Sequence, residues 1–106
     1  MPDFTDMLSK AKDMQAKMKK AQDAIKNIEV EGEAGGSLVK VILTGDYEIK
    51  AINVSEEAKK ETAEIINDLI MAAYNNAKEK LKKKSSVELS KATGGMNLPF
   101  DLKFPF

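Results

Sequence analysis

Between Met7 and Ile28 the apolar and small positions fall at Met7, Ala11, Met14, Met18, Ala21, Ile25 and Ile28, in alternating steps of four and three. That is the seam of a heptad repeat, and it predicts one long helix packed against another helix. From Glu29 the period changes. Val30, Leu38–Thr44 and Ile49–Val54 are rich in β-branched residues and are bounded by "GEAGGS" and "GD", so three short antiparallel strands are expected. Ser55, followed by Glu56 and Glu57, has the chemistry of an N-cap and opens a second predicted helix. Its stripe runs through Thr62, Ile65, Ile66, Leu69, Ile70, Ala73, Tyr74, Ala77 and Leu81 at a period of 3.6. Ser85-Ser86 is a point where that helix could loosen, and Gly94-Gly95 reads as its stop.

The order predicts an α+β fold in one domain spanning 1–106. Helix 1 covers 1–28, a three-stranded sheet 29–54, helix 2 55–93, and an extended C-terminal tail 94–106. In the second strand Val39, Val41 and Leu43 share one face while Leu38 and Ile42 share the other. Helices on one side cannot cover both faces, so a second subunit is the economical cover. Val39, Val41, Leu43, Ile52, Val54, Leu69 and Ala73 are the expected dimer contacts.

Composition narrows the chemistry. With no Cys and no His the chain lacks thiolate nucleophiles, the usual N/S zinc ligands and the commonest acid-base side chain at neutral pH. No nucleophile can be paired with a base, so no enzyme activity, cofactor, metal or small-molecule substrate is expected. "GEAGGS" lacks the Gly-Lys-Ser/Thr ending of a phosphate loop and leads into a strand, which makes it a turn. Glu57, Glu61 and Glu64 share a helical face and read as solvated. Tyr74, Asn75 and Asn76 are expected to pack and make polar contacts where helices meet. No basic and apolar leader and no run of about 20 apolar residues is present, so a soluble protein without membrane contact is expected.

Charge is segregated although the net is zero. Residues 3–28 carry +2, 29–55 carry −3, 56–77 carry −3 and 78–106 carry +4. All seventeen basic residues are Lys. On the heptad with Ala11 at position a, Lys12, Lys19 and Lys26 fall at b, Lys10 and Lys17 at g, and Lys20 at c. The run "AKEKLKKK" (77–84) adds Lys78, Lys80, Lys82, Lys83 and Lys84. Either set alone is ordinary for a solvated helix face or a helix C-terminus. If the helices run antiparallel from a shared sheet, Lys78–Lys84 lie about 33 to 42 Å along helix 2 from Glu56. The two sets would then converge beside the first turns of helix 1, far from the acidic centre. That convergence would favour polyanion binding.

The Met-rich opening helix, "GEAGGSLVKVILTG" (32–45), "INDLIMAAYNNA" (66–77) and "GGMNLPFDLKFPF" (94–106) together resemble the YbaB/EbfC family of bacterial nucleoid-associated DNA-binding proteins. The resemblance spans almost the whole chain in order. It implies an α-β-β-β-α protomer, an intertwined tweezer-like homodimer, a cytoplasmic nucleoid-associated location, and binding of double-stranded DNA by the projecting helices with limited sequence preference. It carries over the helices, not individual lysines. Family members mix Arg with Lys on those helices, and the absence of Arg here argues further against base reading, which most often uses the guanidinium fork. The rival readings are a prefoldin-like chaperone subunit, which also sets strands between two long helices, and a protein-protein scaffold for replication or repair factors.

Overall fold

The computed structural model describes residues 3–93, in the order α1 (Phe4–Lys26), β1 (Glu29–Ala34), β2 (Val39–Thr44), β3 (Ile49–Val54), a short 3-10 turn (Ala58–Lys60) and α2 (Ala63–Ala92). The expected α-β-β-β-α order and the antiparallel sheet, ordered β1-β2-β3, are both present. The Gly94-Gly95 stop and the extended tail expected beyond it lie outside the described residues.

Strict alternation builds the sheet's inner face. Val30, Gly32 and Ala34 of β1 and Val39, Val41 and Leu43 of β2 are buried, and α2 packs across these two strands. A Cβ built on Gly32 would fall on the Ala73 carbonyl oxygen and the Ala77 nitrogen. Helix and strand therefore touch backbone to backbone, which small residues at 32, 73 and 77 permit. Two apolar clusters result, one around Val39, Val41, Ala58 and Ala73, the other around Val30, Leu43, Ala77 and Leu81.

β1 runs on through Glu33 and Ala34, so the turn is tighter than "GEAGGS" suggested, with Gly35 and Gly36 at positive φ of 61° and 72°. The β2–β3 turn places Tyr47 at φ 62°. Its amide donates to the Thr44 carbonyl, and its side chain packs against the Val30–Leu81 cluster. A bulge after this turn puts Ile49, not Lys50, opposite Leu43. Ile49, Ile52 and Val54 consequently share the inner face with α2, while Lys50 reaches Glu29 on the outer one.

The outer face differs from expectation. It presents Glu29, Glu31, Glu33, Lys40, Lys50 and Asn53 around Ile42 and Ala51, with Lys40 3.7 Å from Glu31. Leu38 belongs to the inner cluster instead, because it lies in the hairpin before the strand begins. The charge-laced outer face thus needs no apolar cover.

Helix 2 starts later than Ser55. The Ser55 hydroxyl accepts from the Ala58 amide at 3.0 Å and so caps the 3-10 turn, which is pinned by the fully buried Ala58. The chain becomes extended at Glu61, and Thr62 then caps α2 by accepting from the Ile65 amide at 3.3 Å. Downstream, α2 runs through Ser85-Ser86 without a break, and Ser85 is buried between Leu81 and Leu89.

Met18, Ala21, Ile25 and Ile28 pack on Leu89 and Ala92, and Ile28 also meets the Leu81 cluster. Ile28 meets the Leu81 cluster while the earlier Ala21 and Ile25 pack with the later Leu89, so the helices are antiparallel. Gly45 locks this joint: a Cβ there would fall on the Ile25 carbonyl oxygen. From Asp3 to Lys17 every residue of the α1 arm is exposed. The molecule is accordingly elongated, 70 × 24 × 17 Å.

Candidate nucleic-acid interface

The heptad seam orients the lysines of α1. With 100° per residue, Lys12, Lys19 and Lys26 form a straight stripe roughly 140° away from the direction of Ala21 and Ile25, hence turned away from α2. Lys10 and Lys17 flank the seam, and Lys20 lies at its side. All six are exposed. Spaced seven residues apart, the stripe is about 21 Å long.

The α2 run lies elsewhere than expected. Lys80, Lys83 and Lys84 line a shallow groove with Glu29, Val30 and Glu31, at the sheet end of the molecule. Lys78 is half-buried and Lys82 is exposed. Leu81 packs with Ile28 just past the end of α1, so this run lies level with the end of α1 and not with its first turns. The reason is length: α2 begins at Ala63 and continues to Ala92, so its basic run falls mid-helix, beside β1. The two sets do not meet at one tip.

Ion pairing sorts the lysines. Among the described residues Lys40, Lys50, Lys59 and Lys91 pair with Glu31, Glu29, Glu56 and Glu88. None of Lys10, Lys12, Lys17, Lys19, Lys20, Lys26, Lys78, Lys80, Lys82, Lys83 and Lys84 has a carboxylate within 4.0 Å there. Glu29 and Glu31, which line the groove with Lys80, Lys83 and Lys84, pair with Lys50 and Lys40 on the sheet's outer face.

Lys80 does have a partner, the Glu31 carbonyl at 2.7 Å. Beside it the Asn76 side-chain oxygen accepts from the Glu33 amide at 3.0 Å. These two side chains occupy an amide and a carbonyl of β1, an edge strand, in place of a neighbouring strand. Asn76 thus works where helix meets sheet, not where helices meet. Sequence reasoning missed this edge function, for which the four-residue spacing of Asn76 and Lys80 on one side of α2 was the only signal.

The expected dimer contacts divide as well. Val39, Val41, Leu43 and Ala73 are 0% exposed, taken up by sheet-helix packing within one chain. Ile52 is 43% exposed, while Val54 and Leu69 are half-buried at the margin of the inner cluster. Glu57, Glu61 and Glu64 are exposed. Among the described residues no group of three or more acidic side chains could hold a metal ion, and no helix is long and apolar enough to cross a membrane.

Fold and surface thus define a small α-β-β-β-α protein with a stripe of lysines along its first helix. The chain belongs to the YbaB/EbfC DNA-binding family, whose sequence profile matches residues 1–96. It is 43% identical over 107 residues to nucleoid-associated protein RT0857 of Rickettsia typhi, and 41% identical over 107 residues to nucleoid-associated protein Atu0095 of Agrobacterium fabrum, with all of each chain covered. Nucleoid-associated protein mlr5504 of Mesorhizobium japonicum is 40% identical over the same span. The fold matches the crystal structure of the uncharacterized protein HP0035 from Helicobacter pylori with a TM-score of 0.72 at 16% identity, covering 87% of this chain and 98% of that one. Membership in this family displaces the prefoldin-like reading.

Proposed function

We propose that the protein is a nucleoid-associated homodimer that binds double-stranded DNA through lysine-to-phosphate contacts, with little sequence selectivity. The observation that carries this reading is the set of eleven helix lysines that have no carboxylate partner among the described residues, in a chain of zero net charge. Phosphate contacts position a protein on the duplex but carry little sequence information, which suits an architectural or broadly regulatory role. The similarly named relatives of Rickettsia typhi and Agrobacterium fabrum support the nucleoid association.

The homodimer is best supported at β3. This strand is an edge whose backbone no side chain of α2 caps among the described hydrogen bonds, and whose Ile49 and Ile52 are 48% and 43% exposed beside the half-buried Ile70 and Tyr74. A protomer of 11.7 kDa with so small a core gains from covering that shoulder. Fluorescence anisotropy of a labelled random duplex, titrated at several salt concentrations, tests the DNA reading. Affinity should fall as a power of salt concentration. Absence of binding in dilute buffer would refute it. For the dimer, Ile52→Asp should reduce the light-scattering mass from about twice to about once the protomer mass. A wild-type mass equal to one protomer would end that part of the reading.

A further inference from the structure

Along α1 the heptad seam continues past the reach of α2. Met18 packs on the cluster of Ala21, Ile25 and Leu89, whereas Phe4, Met7, Leu8 and Met14 are 71%, 59%, 48% and 39% exposed and Ala11 is exposed beside them. Phe4, Met7, Ala11 and Met14 keep the alternating steps of three and four, with Leu8 alongside at position e. Such a seam fits another helix, and among the described residues none lies on it.

Two properties of this arm match it to an antiparallel copy of itself. The first is size. When two arms face each other antiparallel about Ser9, Phe4 of each copy meets Met14 of the other, and Met7 of each meets Ala11 of the other. A parallel pairing would set Phe4 on Phe4 and Ala11 on Ala11, crowding one layer and leaving a gap in another. The second is charge. Asp3, Lys10 and Lys17 all occupy position g on one flank. Antiparallel pairing sets Asp3 of each copy beside Lys17 of the other, with one Lys10–Lys10 meeting between them. Parallel pairing would set Asp3, Lys10 and Lys17 beside Leu8, Gln15 and Gln22, and forms no ion pair.

We propose that the α1 arms of two copies of this chain pair antiparallel through the Phe4–Met14 face, a contact separate from the β3 shoulder. Leu8 meets Leu8 on the flank opposite the ion pairs, and Lys12 and Lys19, at position b, stay outside the contact and free for phosphate. The paired face is only about 15 Å long, so the association is weak between free molecules and grows with their concentration. Molecules held side by side on a duplex reach such concentrations, and the arms then join neighbours to one another. That last use rests on the proposed function; the contact itself does not and is tested without DNA.

The natural absence of cysteine makes the test direct. Leu8→Cys is placed in full-length protein that also carries Ile52→Asp, so that the β3 contact is removed, and concentrated samples are treated with a short bismaleimide. A two-chain band on a denaturing gel is expected. Asp13→Cys, at position c on the far side of the helix, should give much less of it under the same conditions. Adding Lys17→Asp to the Leu8→Cys protein turns both ion pairs into repulsions and should lower the two-chain yield about tenfold. Adding Asp3→Lys together with Lys17→Asp should restore it, which parallel pairing cannot do. Absence of the two-chain band, equal yields from Leu8→Cys and Asp13→Cys, or a Lys17→Asp loss that Asp3→Lys does not repair would each overturn the proposal.

Discussion

Gly32 sets how closely α2 can lie on the sheet, because its missing Cβ is the space that the backbone of Ala73 and Ala77 occupies. Gly32→Ala must push the helix away from the sheet and loosen the contact of Leu43 with Leu81, which are both fully buried. Overpacking of this kind costs about 1–3 kcal/mol, and urea denaturation should show the loss as a lower midpoint with an unchanged slope. The same change at Gly36, where a Cβ meets nothing within 4 Å, strains only the positive φ of a turn. Gly36→Ala should therefore be the milder variant. The alternation of β1 and β2 was legible in the sequence because it is local. The closeness of Gly32 to α2 was not, since it joins residues more than forty positions apart and leaves no periodic trace.

At the scale of elements, the start of α2 shows how two valid capping signals compete. Ser55 and Thr62 each have a following turn with carboxylates, and both accept a backbone N–H three residues on. Only Thr62 opens a helix that continues, because the burial of Ala58 turns the first segment inward and the extended Glu61 restarts the chain. Thr62→Ala should cost about 1 kcal/mol and fray the first turn of α2, read as faster amide exchange at 64–66. A loss confined to the 3-10 turn would mean the cap had been misplaced. The periodic stripe revealed the helix and its long apolar face. It could not reveal the starting residue, because Thr62 fits the stripe and the cap equally well. The seam of α1 carried a similar ambiguity: its pattern is continuous from Met7 to Ile28, yet only the part beyond Met14 meets α2.

At the scale of the whole molecule, the arrangement of charge decides how a duplex can lie on the protein. A tip binder would concentrate its lysines where two helix ends meet. Here Lys12, Lys19 and Lys26 run about 21 Å along α1, and the α2 run lies level with the end of that helix. Such a track suits a backbone followed along its length, with both sets contributing counterion release. Lys12→Glu/Lys19→Glu/Lys26→Glu and Lys82→Glu/Lys83→Glu/Lys84→Glu should therefore each weaken duplex binding. Each should flatten the dependence of log affinity on log salt by about 0.9 for every phosphate that is no longer neutralised. These lysines have no carboxylate partners among the described residues, so neither triple variant should lose more than a few tenths of a kcal/mol of stability. A salt slope unchanged by the α1 triple, with a large effect of the α2 triple, would confine DNA to the sheet end. The projecting arm would then be left with a structural role only.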